Sequence, residues 1–107
     1  MDHFIETTFM SQIIEDSWIH PVIIFKFSSE CNSSTRLKEE IEKQKENKTL
    51  GVPIYLVTVQ KMPALSKNLS EHFNIEHESP QIIILNKGKV TYTAHHRYIK
   101  IEDFVLT

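Results

Sequence analysis

The chain has 107 residues, 40% of them hydrophobic, enough for one core and too few for two, so a single domain over residues 1–107 is expected. Its 12 basic and 14 acidic residues are interspersed and leave a formal net charge of −2, which offers no electrostatic footprint for nucleic acid or an anionic membrane. One cysteine excludes an internal disulfide, the start MDHFIETTFM lacks the basic flank and apolar run of a secretory signal, and no apolar segment approaches the roughly 20 residues that span a bilayer. A cytoplasmic protein that binds neither nucleic acid nor membrane is expected.

In FIETTFMSQIIEDSWI, Phe9, Ile13, Ile14 and Trp18 recur at helical spacing, which predicts a first helix with one buried stripe and puts Trp18 in the core. Val22, Ile23, Ile24 and Phe25 follow in succession, the pattern of a central strand covered on both faces. The polar stretch SSECNSST then carries the cysteine, and a second helix is predicted to begin near Cys31, with Leu37 and Ile41 on one face. Gly51 ends that segment and VPIYLVTV supplies a second strand. PALSKNLSEHF opens with Pro63 at a first helical position and sets Ala64, Leu65, Leu69 and Phe73 on one face of a third helix. Ile82 to Leu85, a tight turn holding Gly88, and Val90 to Ala94 read as a hairpin, and Ile101, Phe104 and Val105 as a last short helix. The order α-β-α-β-α-β-β-α implies an α/β fold, a four-stranded mixed sheet flanked by helices on both faces. Gly51 and Gly88 are the only glycines, which excludes a glycine-rich phosphate loop.

Cys31 falls at the carboxyl end of the first predicted strand and the start of a helix. A helix N-terminus presents unpaired N–H groups and about half a positive charge, which stabilises a thiolate and lowers the thiol pKa from about 8.5. Ser34 stands where its hydroxyl and backbone N–H can reach the sulfur, a Cys-x-x-Ser arrangement without a resolving thiol, while the adjacent Glu30 opposes thiolate formation. Pro80 comes immediately before a strand, where its missing N–H is tolerated; in a cis state it would hold a fixed turn and expose the Ser79 main-chain groups to a disulfide substrate. With the hairpin turn on Lys87 and Gly88, facing residues sum to about 175, which sets His95 and His96 level with Pro80, give or take a residue. An imidazolium there, close to Cys31, would favour the thiolate; the alternative is a solvated strand end. His95 and His96 are adjacent and His72 and His77 distant, no spacing matches a zinc pattern, and no metal is expected.

Together SSECNSS, ESPQIIILNKGKV and TAHH resemble the thioredoxin-like superfamily and, within it, the monothiol bacilliredoxins of the bacillithiol system, over most of the chain. The stretch Phe25 to Ser34 matches that family's Ser-Thr-x-Cys-Pro-Ile-Ser in the cysteine and the serine three after it, which makes Cys31 the implied nucleophile. Glu78-Ser79-Pro80-Gln81 matches the family's Glu-Ser-Pro-Gln, followed by the same apolar strand and Lys-Gly-Lys turn, and makes Pro80 the implied cis-proline. Ala94 and His96 match an Ala-Ser-His element, His95 replacing the serine. The chain departs from the pattern at Asn32 and Ser33, which stand where the family has Pro-Ile, and Asn32 there is expected to cap the helix. The resemblance implies monothiol exchange: Cys31 takes bacillithiol, a co-substrate with no tightly bound cofactor beside it, from S-thiolated proteins, and a second low-molecular-weight thiol regenerates it. A competing reading, a thioredoxin-like scaffold that binds a protein partner with Cys31 incidental, draws on Glu30 and Asn32.

Overall fold

A computed structural model describes residues 4–46 and 51–103. The apolar and alternating runs become α1 (Met10–Ser17), β1 (Val22–Phe27), α2 (Asn32–Glu46), β2 (Ile54–Thr58), α3 (Pro63–Phe73), β3 (Gln81–Asn86) and β4 (Lys89–His95). Two 3₁₀ turns follow, His96–Tyr98 and Ile101–Asp103. The predicted last helix is thus a 3₁₀ turn at Ile101, and its Phe104 and Val105 lie outside the described residues.

The sheet order is β2-β1-β3-β4, with β1 parallel to β2 and antiparallel to β3, and β3 antiparallel to β4. Central β1 carries five buried residues in succession because both of its faces are covered. Ile13 of α1 and Leu65 and Leu69 of α3 pack with Val22, Ile24, Tyr55, Val57, Ile83 and Leu85 on one face. On the other, Ile41 of α2 packs with Ile23, Phe25, Ile54, Leu56, Ile82 and Ile84, joined by Leu37, Ile99 and Ile101. Lys26 is the exception in this apolar strand: 0% exposed, it faces the α3 side and pairs in register with Val57 and Gln81.

At the hairpin, Lys87 and Gly88 have φ of 54° and 74°, the left-handed pair that a two-residue turn requires. Asn86 faces Lys89 and Leu85 faces Val90, and an irregularity between Ile84 and Leu85 slips the register by one residue, so that Gln81 faces His95. The slip decides which histidine meets Pro80: the backbone N–H of His96 donates to the Pro80 carbonyl at 3.0 Å.

The first helix departs from its expected stripe. Phe9 is its N-terminal flanking residue and 67% exposed, and Met10 packs against the core in its place. Trp18 is not core but 62% exposed, because α1 ends at Ser17 and Trp18 lies over the hairpin turn, its indole nitrogen 3.1 Å from where a Cβ on Gly88 would stand. Ser17 fastens the two: its carbonyl accepts from Lys87 N–H (2.8 Å) and its hydroxyl from Gly88 N–H (3.0 Å). Ala64 is exposed, so the buried face of α3 is Leu65, Ser66 and Leu69. Upstream of α1, Ile5 forms a parallel bridge to Tyr55, bonding Ile54 and Leu56 on the outer side of β2.

Candidate active site

Cys31 immediately precedes α2 and is half-buried. Its carbonyl accepts from the Thr35 N–H at 3.1 Å and the Thr35 hydroxyl at 3.2 Å, the first bonds of the helix. The cysteine is therefore the flanking residue from which the helix starts, and Asn32 is its first turn residue rather than its cap, since the first helical acceptor is already the Cys31 carbonyl. The loop before it is clamped from the β2–α3 connection. Gln60 accepts from Ser29 N–H (3.1 Å) and donates to the Ser28 hydroxyl (2.7 Å), which in turn accepts from Glu30 N–H (3.3 Å).

The thiol lies below its ordinary pKa. The largest cause is a hydrogen bond from the Ser34 backbone; the Ser34 hydroxyl and the Ser33 backbone and hydroxyl act the same way, against a contribution from burial that raises it. Ser34 is 0% exposed and its Oγ has no other hydrogen-bond partner, so the hydroxyl is free to donate to the sulfur. Ser33 was not singled out by sequence, although a second small hydroxyl residue in the first turn of a helix is the available signal.

Across a cleft of about 200 Å³ stands the Pro80 turn. Ser33, Arg36, Leu37 and Glu40 of α2 form one wall, and Pro80, His96, Arg97 and Ile99 the other. The Ser79–Pro80 bond is cis, with Ser79 half-buried and Pro80 buried. His95 and His96 do stand at this end, as the hairpin register predicts, but neither is among the groups that act on the thiol. His96 Nε2 lies 2.7 Å from Glu78 Oε1, and His95 rests edge-on against His96 and Tyr98, both rings being exposed. The serine groups of α2 thus do what the imidazoles were expected to do.

Lys26, Gln81 and His77, which the sequence reading left out of the site, hold the connection that carries Pro80 from the α3 side. Lys26 Nζ donates to Ser66 O (2.9 Å) and Ser70 Oγ (2.6 Å) of α3 and lies 3.3 Å from His77 Nδ1. The Gln81 amide donates to the Glu76 carbonyl at 3.1 Å. The signal for Lys26 was present: it is the one charged residue within the buried run of the first strand.

A partly accessible thiol of lowered pKa at a helix start, on a mixed four-stranded sheet that carries a cis-proline turn at the same end, is a candidate site for thiol-disulfide exchange. Solved structures agree on the fold. A protein assigned as an oxidoreductase with a thioredoxin fold superposes with a TM-score of 0.78 at 22% identity, covering 92% of this chain and 87% of its own. The oxidised thioredoxin of Plasmodium falciparum gives 0.71 at 16% identity, covering 95% and 94%. A thioredoxin of Halobacterium salinarum gives 0.70 at 10%, covering 94% and 83%. The family model described as monothiol bacilliredoxin BrxC matches residues 5–104, and the chain belongs to that family.

Proposed function

We propose that the protein is a cytoplasmic monothiol exchanger that removes bacillithiol, or a similar low-molecular-weight thiol, from protein mixed disulfides. The Cys31 thiolate attacks the low-molecular-weight sulfur of the mixed disulfide. The new bond joins Cys31 Sγ to that sulfur, and the bond to the protein sulfur breaks. The protein leaves as a thiolate and takes a proton from solvent. A second low-molecular-weight thiolate then attacks the sulfur carried by Cys31, giving a small disulfide and returning the Cys31 thiolate, so that the incoming small thiol is oxidised as the protein sulfur is reduced and the transferred sulfur stays at the disulfide level. Cys31 is the only cysteine, so no internal thiol competes for the intermediate. In this reading Ser34 and Ser33 stabilise the thiolate, Asn32 opens the helix above it, and the Ser79 main chain, Pro80, His95 and His96 form the surface on which the disulfide lies.

The observation that carries the reading is the lowered Cys31 pKa at the start of α2, two residues before Ser33, which shares a cleft with Pro80. The test is transfer. After incubation with a protein carrying one bacillithiol mixed disulfide, intact-mass spectrometry is expected to show the adduct moving to Cys31 and the substrate thiol freed, and Cys31→Ser is expected to stop both. Retention of the adduct on the substrate, while a control cysteine peptide accepts it, would favour the redox-inactive scaffold.

A further inference from the structure

We infer that Lys26 is a positioning residue for this exchange: through His77 it sets where the Ser79–Pro80 turn stands relative to Cys31. The inference rests on the exchange reading above.

Lys26 lies in the strand that delivers the sulfur, five residues before Cys31, and its side chain crosses to α3 and to the connection that delivers Pro80. An ammonium has three donors, and here they meet three neutral acceptors: Ser66 O, Ser70 Oγ and His77 Nδ1. No carboxylate is paired with it among the described residues, although a buried charge is ordinarily held by an opposite one. A cation kept dry without a counter-charge is poor design for stability alone. What it does is tie three segments of the chain at one point.

His77 is the link. Its Nδ1 sits 3.3 Å from Lys26 Nζ and 3.4 Å from Ser66 Oγ, and it accepts from the ammonium in the tautomer that carries the ring proton on Nε2. Only Glu78 and Ser79 separate His77 from Pro80. Above this point the connection is held by the Glu78 carboxylate against His96 and by the Gln81 amide on Glu76 O; Lys26 is what holds it from beneath. Protonated, His77 loses the acceptor and sets a second cation against the first. Charged and neutral groups face this pair from each packed element, and Glu76 of the connection lines the surface beside His77 with Ser70 and Glu71. From α3 come neutral Ser66 and Ser70, with Lys67 and Glu71 lining the cleft outside His77; from the connection comes Glu78, from β3 neutral Gln81, and from β2 apolar Val57. Burial and the Lys26 charge lower the His77 pKa against the opposing pull of Glu78, so the link persists to lower pH than it would with an ordinary histidine.

The test compares Lys26→Gln, His77→Leu and His77→Asn with the wild type by two rates: kcat/KM for release of bacillithiol from a protein mixed disulfide, and alkylation of Cys31 by iodoacetamide, which needs no proline turn. Lys26→Gln and His77→Leu are expected to lower kcat/KM at pH 7 by about tenfold to a hundredfold, the effect of misplacing a reacting group by an ångström or less, while alkylation changes less than about twofold. Asn offers an acceptor near the place of Nδ1 that does not protonate, so His77→Asn is expected to regain most of what His77→Leu loses and to keep its exchange rate on acidification. Exchange within twofold of wild type in His77→Leu, or a parallel fall of exchange and alkylation, would overturn the inference; His77 is exposed, so this variant carries the test if Lys26→Gln does not fold. A wild type without exchange activity would defeat the exchange reading by itself. The positioning would then be judged from the amide resonances of Glu78, Ser79 and Gln81, expected to shift in His77→Leu and to return in His77→Asn, and refuted if they stay in place.

Discussion

Ser34 buries a hydroxyl that finds use when the neighbouring sulfur is charged. Ser34→Ala removes that donor but leaves the backbone N–H, the larger influence, so the Cys31 pKa is expected to rise while remaining below that of free cysteine. Alkylation at pH 7 should slow by roughly two- to tenfold, the range for one net hydrogen bond of about 0.5–1.5 kcal/mol. Lys26 makes a second residue-scale prediction. Burial lowers its pKa from 10.5 to about 8, so between those values the folded chain holds fewer protons than the unfolded one. Stability therefore rises with pH across that window and is at its lower level below about 8. In urea unfolding, the wild type is expected to gain on Lys26→Met between pH 7 and pH 10; an unchanged difference would show that Lys26 keeps its ordinary pKa in the fold.

Elements are fastened at their ends as much as by their faces, and the β3–β4 turn shows it. Gly88 has a φ of 74° and lies under Trp18, whose indole nitrogen would stand 3.1 Å from an added Cβ. Gly88→Ala is expected to lower stability by about 1–2 kcal/mol, through a left-handed backbone and a forced shift of Trp18, read as a lower urea midpoint with unchanged slope. The turn and its register were legible from Lys87-Gly88 between two β-branched runs, because two left-handed residues leave few ways to close a hairpin. The role of Trp18 was not. Helical periodicity marks a face without marking where the helix stops, and α1 ends one residue earlier, at Ser17. The same limit hid the place of Ile5, because a single bridge beside β2 has no period of its own.

Across the whole molecule, one end of the sheet collects the chemistry. Lys26, Gln81 and His95 are register partners on successive strands, so the loop carrying Cys31, the turn carrying Pro80 and the histidines leave the sheet at the same end. That convergence follows from hairpin register, which was readable from the turn between the last two apolar runs, and from strand order, which the apolar runs left open. The electrostatics within it were not readable, since they depend on distances. Ser34 is the exception, its place three residues after Cys31 being visible in the chain; the Ser33 donor, the Gln60 clamp and the pairing of His96 with Glu78 arise from groups that the sequence separates or leaves unranked. Membership of the monothiol bacilliredoxin family and the thioredoxin fold assign the chain thiol-disulfide chemistry, and the single cysteine restricts that chemistry to one sulfur.

The account stands on a thiol that is ionised more readily than cysteine in water. The rate of Cys31 alkylation by iodoacetamide, followed against pH beside free cysteine in the same buffers, measures this directly. A midpoint below that of free cysteine, moved upward by Ser34→Ala, is the predicted result; a midpoint at or above that of free cysteine would contradict it.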